Sequence, residues 1–205
     1  MEFEFKGNEI VFERELSNLD RLVLKFCKIL HDEKIDYVII SGYIAILFGR
    51  SRNTEDVDLF TEETAFGKFA RLWKRLEKEG FECLNESEPE KAYYNYLKDG
   101  AAIRFAQKGT IIPNFELKFP KNKYSHYSLK NKLIAVVNGE KINTSELELQ
   151  IAFKLYLGTE KDFEDARHLY KVFKEKLNTG LLSKHISELK VEKQAEKVLW
   201  KKYRN

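Results

Sequence analysis

The chain has 205 residues, of which 43% are hydrophobic and 13% aromatic, enough apolar material to bury a sizeable core and to exclude a disordered protein. Lys and Arg number 36 against 33 acids, and the resulting net charge of +3 is too small to demand a nucleic-acid partner by itself. No apolar run approaches the ~20 residues that cross a bilayer, and the start MEFEFKGNEIVFE lacks a basic region followed by an apolar one, so a soluble, cytoplasmic protein without a membrane partner is expected.

In chain order, Phe3, Phe5, Ile10 and Phe12 alternate with charged residues on either side of Gly7-Asn8, a hairpin signature. Ser17 then caps a helix, with Asp20 three residues later in a capping-box pattern, and Leu19, Leu22, Val23, Phe26, Ile29 and Leu30 form its buried stripe. Residues 36–41 read as a continuous apolar strand, 43–48 as a short helix ended by Gly49, and 57–61 as a second strand. A helical stripe follows over 64–79, ended by Gly80, and 81–84, 101–105 and 114–119 read as further strands. Residues 132–142, with Asn138-Gly139 at the tip, form a last hairpin before three or four helices that start near Ser145. The expected fold class is thus α/β (α+β), a mixed sheet flanked by helices, with a core over 1–143 that includes the hairpin and a packed helical region over 144–205.

The chemistry concentrates in residues 38–60, VIISGYIAILFGRSRNTEDVDLF. Asp56 and Asp58 alternate on one strand, so both carboxylates point to the same face, about 6.5 Å apart along the chain, where hard divalent cations and a triphosphate can be held. On the strand over 114–119, Phe115, Leu117 and Phe119 face one way and Glu116 with Lys118 the other. If that strand lies beside 57–61, Glu116 completes a triad with Asp56 and Asp58, and Lys118 sits against a phosphate; an ordinary acid–base pair on an edge strand is the alternative. Between 117 and 139, Lys118, Lys121, Lys123, Lys130 and Lys132 occur without an acid and are interleaved with Tyr124, His126 and Tyr127. That segment reads either as a track for a phosphate backbone or as a solvated connection between strands.

From Ser183 the chain carries Lys184, Lys190, Lys193, Lys197, Lys201, Lys202 and Arg204 against three Glu residues, with an apolar side, and reads as an amphipathic helix packed on the body. Cys27 and Cys83, without CxxC or Cys/His spacing, read as buried thiols, and the four histidines form no metal-binding pair. A charged fraction of 34% with a single Met and two Cys is a balance found in many thermophile proteins. No P-loop or GxGxxG is present.

Ser41-Gly42, then Arg50, Arg52 and Thr54 leading into Asp56-Val57-Asp58, resembles the small-residue turn and DxD motif of the polymerase-beta-like nucleotidyltransferase superfamily. Many members show Gly-Gly or Gly-Ser at the turn where this chain has Ser-Gly. The segment LELQIAFKLYLGTEKDFEDARHLY, residues 147–170, looks like its counterpart in AbiEii-type nucleotidyltransferases, the toxin-like group of abortive-infection systems. On that resemblance Lys154 contacts the nucleotide, and Asp162 and Asp165 form the acidic pair of a later motif; read by itself, Asp162 is a helix cap behind Thr159, and a surface salt bridge accounts for Asp165 or Lys154.

The resemblance implies transfer of a nucleoside monophosphate from a nucleoside triphosphate to an acceptor hydroxyl, on an RNA end such as tRNA or on a protein, with an antitoxin as a further partner. Asp56, Asp58 and Glu116 would hold two Mg²⁺ ions, or Mn²⁺, with Glu116 helping to deprotonate the acceptor. Ser41 and the Gly42 N–H would receive the triphosphate, with Arg50, Arg52, Lys118, Lys154 and Asp165 in the nucleotide-binding set; for Arg52 a surface pair with Glu55 is the alternative. The other reading of the whole chain is a non-catalytic nucleotide- or RNA-binding module of the same fold.

Overall fold

The computed structural model describes residues 1–200. Its N-terminal hairpin pairs β1 (Glu4–Lys6) with β2 (Glu9–Phe12), Phe5 opposite Ile10, across Gly7 at φ +62°. Helix α1 (Asn18–Asp32) starts with the predicted capping box: the Ser17 hydroxyl accepts from the Asp20 N–H, and the Asp20 carboxylate accepts from the Ser17 N–H. Strand β3 (Tyr37–Ile39), the short α2 (Gly42–Leu47), β4 (Asp56–Thr61), α3 (Phe66–Lys78) and β5 (Phe81–Cys83) follow where hydrophobic periodicity places them, with ends shifted by a few residues.

Two helical segments lie outside the sequence expectation. The first, α4 (Pro89–Lys91), opens on a proline at its first turn and runs on as a π-helical turn, Ala92–Leu97. After β6 (Ile103–Gln107) and β7 (Asn114–Lys118) comes the second, α5 (Lys123–Lys130). Its Asn122 side chain accepts from the Tyr124 and Ser125 N–H groups, and the Ser125 side chain accepts from the Asn122 N–H. The basic stretch therefore contains a capped helix rather than a plain connection between strands. Several of its lysines have partners within the chain: Lys121 Nζ donates to the Asp99 carbonyl, Lys123 pairs with Glu188 at 3.6 Å, and Lys132 pairs with Asp36.

The last hairpin joins β8 (Lys132–Val137) to β9 (Glu140–Ser145) through Asn138 and Gly139, at φ +50° and +85°, as a primed turn requires. Helix α6 (Leu147–Leu157) ends at Gly158 in the left-handed conformation, α7 (Glu160–Phe173) is capped by Thr159, and α8 (Thr179–Leu189) ends at Lys190, also left-handed at φ +57°. A short α9 (Glu192–Ala195) runs on as a π-helical turn, Glu196–Trp200. The basic stretch from Ser183 is thus split at Lys190 rather than one helix, and Lys201, Lys202 and Arg204 lie outside the described residues.

The strands form one mixed sheet of nine among the described residues, ordered β1-β2-β8-β9-β3-β4-β7-β6-β5. All three residues of β3 are buried, as its position in the middle of that order demands. Strand β7 lies beside β4, the condition the triad required, and runs parallel to it, with Val57 opposite Phe115 and Asp58 opposite Glu116. The apolar alternation of both strands faces α1, where the Phe26 ring stacks on Phe115 with centroids 4.0 Å apart. The opposite face carries Asp56, Asp58, Phe60, Glu116 and Lys118, all half-buried. Phe3, Phe12, Phe48 and Phe173 contact one another edge-on or tilted, tying the hairpin, the end of α2 and α7 into one core. Cys27 is buried, whereas Cys83 is only half-buried because β5 is the sheet's edge.

Candidate active site

Strand β3 ends beside the acidic strand: the Ile40 N–H donates to the Asp58 carbonyl at 2.9 Å. Ser41 then turns the chain at φ +65° and ψ −136°, and Gly42 opens α2. Glycine is the residue that enters this region without a Cβ penalty, so a serine here is held against its preference. Gln150 of α6 holds it: its Oε1 accepts from the Ser41 N–H at 3.2 Å and its Nε2 donates to the Ser41 carbonyl at 2.8 Å. Gln150 escaped the sequence reading because a buried amide in an apolar helix has meaning only once the Ser41 backbone is known. Below α2, the Tyr43 hydroxyl donates to Asp20 at 2.8 Å, and Arg14 bridges Asp20 to the Ile46 and Leu47 carbonyls.

The structure puts Asp56, Asp58 and Glu116 on one face of two adjacent strands. The Thr54 hydroxyl donates to Asp56, at 3.0 Å to its carbonyl and 3.3 Å to Oδ1. Glu116 has both oxygens engaged: Oε1 accepts from Arg104 Nε at 2.7 Å and Oε2 from Lys118 Nζ at 2.8 Å. The same ammonium reaches Asp58 Oδ1 at 3.3 Å, so Lys118 stands between two of the acids rather than facing outward toward a phosphate. Burial pushes the Asp58 carboxyl up, and the Asp56 and Glu116 charges add to this against the opposing Lys118. For Glu116 burial also pushes up, but the bonds and charges of Lys118 and Arg104 outweigh it and hold this carboxyl below its ordinary value. Arg104, on β6 directly opposite Glu116, was not anticipated; cross-strand pairing is the only signal that finds it.

Arg50, Arg52, Lys154 and Asp165 also come together, but on one another. Asp165 is fully buried. Its Oδ1 accepts from Arg50 and from Arg52 Nε at 3.0 Å, and its Oδ2 from Arg52 Nη2 at 2.9 Å, with Lys154 Nζ 3.0 Å away. Lys154 also donates to Asp162 at 2.7 Å, and Arg50 reaches Glu164 and the Lys161 carbonyl. Burial raises the Asp165 carboxyl less than Arg52, Lys154 and Arg50 lower it, so it lies below its ordinary value. Asp162 serves both readings, since the Thr159 hydroxyl caps its N–H while its carboxylate holds Lys154. The partner of Arg52 is Asp165, not Glu55. Its guanidinium lies against Gly42 so closely that a Cβ there would run into Nη2. Because Asp165 pins that guanidinium, glycine is the side chain that fits.

A cleft of about 310 Å³ opens between the sheet, α5 and α6. Ser41, Asp58, Lys118, Gln150 and Lys154 line its polar end, and Phe60, Tyr124, Leu149, Phe153 and Leu157 its apolar walls. Such a hollow, apolar with a few convergent polar groups, has the make-up of a small-molecule site. Asp56 and Glu116 lie outside its lining. Among the described residues no three His, Cys, Asp or Glu side chains are grouped as a ready metal cage. The donors nevertheless fit a hard divalent cation: they are carboxylates crowded on one face, with Asp58 raised by burial and, to a smaller extent, by the Asp56 and Glu116 charges. Lys118 and Arg104 supply the positive charge there, and of the two Lys118 reaches Asp58. Lys118→Met is accordingly expected to lower stability by about 1–2 kcal/mol, or about 2–8 °C in melting temperature, and Mg²⁺ or Mn²⁺ should recover more of that loss than it adds to the unmodified chain. A melt of the variant that ignores both cations contradicts this.

No family model matches the chain, and no curated protein does. Among solved structures it is similar to an antigenic nucleotidyltransferase-like protein from Paracoccidioides brasiliensis, at 18% identity and a TM-score of 0.51, over 90% of this chain and 96% of that one. It is also similar to ANT(2")-Ia in complex with adenylyl-2"-tobramycin, at 14% identity and a TM-score of 0.54, over 84% of this chain and 99% of that one. A solution structure of ANT(2'')-Ia agrees, at 13% identity and a TM-score of 0.53, over 88% and 97% of the two chains. At these identities the likeness is one of fold: this chain has a nucleotidyltransferase-like fold.

Proposed function

We propose that this protein is a metal-dependent nucleotidyltransferase that moves a nucleoside monophosphate from a nucleoside triphosphate to an acceptor hydroxyl. The observation that carries the reading is the placement of Asp58, with Asp56 on the same face of β4, beside a Ser-Gly turn at the polar end of a nucleoside-sized cleft. The fold supports it, although fold alone does not imply chemistry.

Such transfer is an in-line displacement, in which catalysis consists of positioning and of neutralising charge on the attacking and leaving oxygens. A divalent cation, when bound, neutralises charge on the phosphates and lowers the acceptor's hold on its proton. Asp56 and Asp58 would hold it, and Glu116, whose oxygens Lys118 and Arg104 now occupy, would be the third carboxylate available on that face. Lys118, displaced from those acids, would have a phosphate oxygen as its partner. Lys154 lines the cleft with its ammonium held by Asp162 and Asp165, and would turn to a phosphate only by loosening one of those bonds. Arg52, behind Gly42, adds positive potential at the turn.

For the acceptor we favour an RNA end such as that of tRNA, or a protein hydroxyl. The union of Lys154 with Asp162 and Asp165 supports placement in the AbiEii-type branch, where a toxin paired with an antitoxin is expected; a neighbouring gene for a small DNA-binding protein checks that. One observation favours the alternative of a non-catalytic binding module: Lys118 already neutralises the acids a cation would bridge. Incubation with each labelled nucleoside triphosphate, Mg²⁺ and total RNA or protein separates the two. Label transferred by the unmodified chain and lost in Asp58→Asn supports the enzyme; nucleotide binding without transfer in every mixture supports the module.

A further inference from the structure

The Ser41 turn presents a conflict that the reaction scheme above leaves unused. Ser41 sits at φ +65°, a region that costs a residue with a Cβ about 1 kcal/mol or more, yet neither its side chain nor a following glycine supplies the cause. Its hydroxyl makes no capping bond to α2. What opposes relaxation is Gln150, a buried side chain whose amide bonds the Ser41 backbone once in each direction. Both bonds are made to the Ser41 N–H and C=O as the turn places them, so relaxing the turn away from this arrangement gives up both at once.

The consequence reaches the carboxylates. Ile40, immediately before Ser41, is bonded to the backbone of Asp58, so the turn and the acid share one frame. Lys154 stands four residues beyond Gln150, on the same face of α6, and leads through Asp165 to the Arg52 guanidinium against Gly42. Helix α6 thus grips the two turn residues from both sides: Ser41 directly and Gly42 through the buried ions. We infer that Gln150 is a positioning residue that imposes the strained Ser41 conformation and thereby fixes the Ser41-Gly42 turn over Asp58 for a triphosphate. The functional half rests on the nucleotidyltransferase reading; the conformational half does not.

The test uses the full chain with Gln150→Met, which keeps the side chain's length and removes both bonds. Its crystal structure should show Ser41 at negative φ, and amide exchange at residue 41 should speed up about tenfold or more. Dissociation constants for the Mg²⁺ complexes of the four nucleoside triphosphates should rise about tenfold for whichever binds the unmodified chain. Adding Ser41→Gly to Gln150→Met should restore the positive φ and most of the affinity, because glycine enters that region unaided; a merely structural role for Gln150 would not respond to this change. Gln150→Glu, which keeps the acceptor for the Ser41 N–H and loses the donor to its carbonyl, should lie between, and it decides the matter if the Met variant fails to fold. Ser41 remaining at positive φ with a protected amide in either variant overturns the inference. A chain that binds no nucleoside triphosphate, yet shows Ser41 relaxing on loss of Gln150, refutes the nucleotidyltransferase reading and leaves the clamp standing.

Discussion

Asp165→Asn is expected to destabilise the protein by about 3–5 kcal/mol, a drop of roughly 6–20 °C in melting temperature for a chain of this size. Asp165 has no exposed surface, and it is the common anion of Arg50, Arg52 and Lys154. Removing one partner of a buried ion group leaves the others desolvated without compensation, which costs far more than a surface pair. Glu164→Gln is the control: Glu164 also meets Arg50, but its side chain is 50% exposed, and its loss should stay below about 1 kcal/mol. Because the Asp165 carboxyl lies below its ordinary value when folded, its contribution is present above about pH 4 and is lost as pH falls through the lowered value. Asn at 165 should therefore flatten the acid limb of the stability curve. Melts in which Asp165→Asn and Glu164→Gln behave alike would show that the buried charges do not act as a unit.

Asp58→Asn should behave in the opposite manner, losing the reaction and keeping the fold. Transfer should fall by about a thousandfold or more, the scale of losing a group that organises transition-state charge. Stability should stay level or rise by up to about 1 kcal/mol, because the ionised carboxylate is opposed by burial and by the charges of Asp56 and Glu116. With a folded value raised above the unfolded one, Asp58 favours the native state at low pH and weakens it as pH rises through that raised value, and the amide removes this dependence. A large drop in melting temperature would instead assign Asp58 to the architecture, as a partner of Lys118.

The parts of this protein written in local chemistry were legible in its sequence. Ser17 with Asp20, Asn138-Gly139, Thr159 with Asp162 and the alternation around Asp56 and Asp58 each specify a cap, a turn or a face within a few residues, and each forms. Alternation also set Glu116 with Lys118 on one face of its strand, and the pairing of β7 beside β4, which the sequence left conditional, brings that face to Asp58. Helix α5 was missed although Asn122 and Ser125 spell its cap, since the lysines around them drew the reading toward charge. What local chemistry does not carry is the choice among distant partners. Arg50 and Arg52 find Asp165 more than a hundred residues away, Lys118 finds Asp58 across a strand pair, and Gln150 finds the Ser41 backbone. A guanidinium bound for a phosphate and one bound for a buried carboxylate look the same in sequence, and the difference lies in which helix packs over the turn.

The spatial claim at the centre of this account, that acids from β4 and β7 form a cation site beneath the Ser41-Gly42 turn, is met most directly by a crystal grown with Mn²⁺ and a non-hydrolysable nucleoside triphosphate, read by anomalous scattering. The account predicts manganese bound to Asp56 and Asp58, phosphates in the cleft, and Lys118 moved off Asp58. Metal bound elsewhere, or Lys118 still bridging Asp58 and Glu116 with nucleotide present, contradicts it.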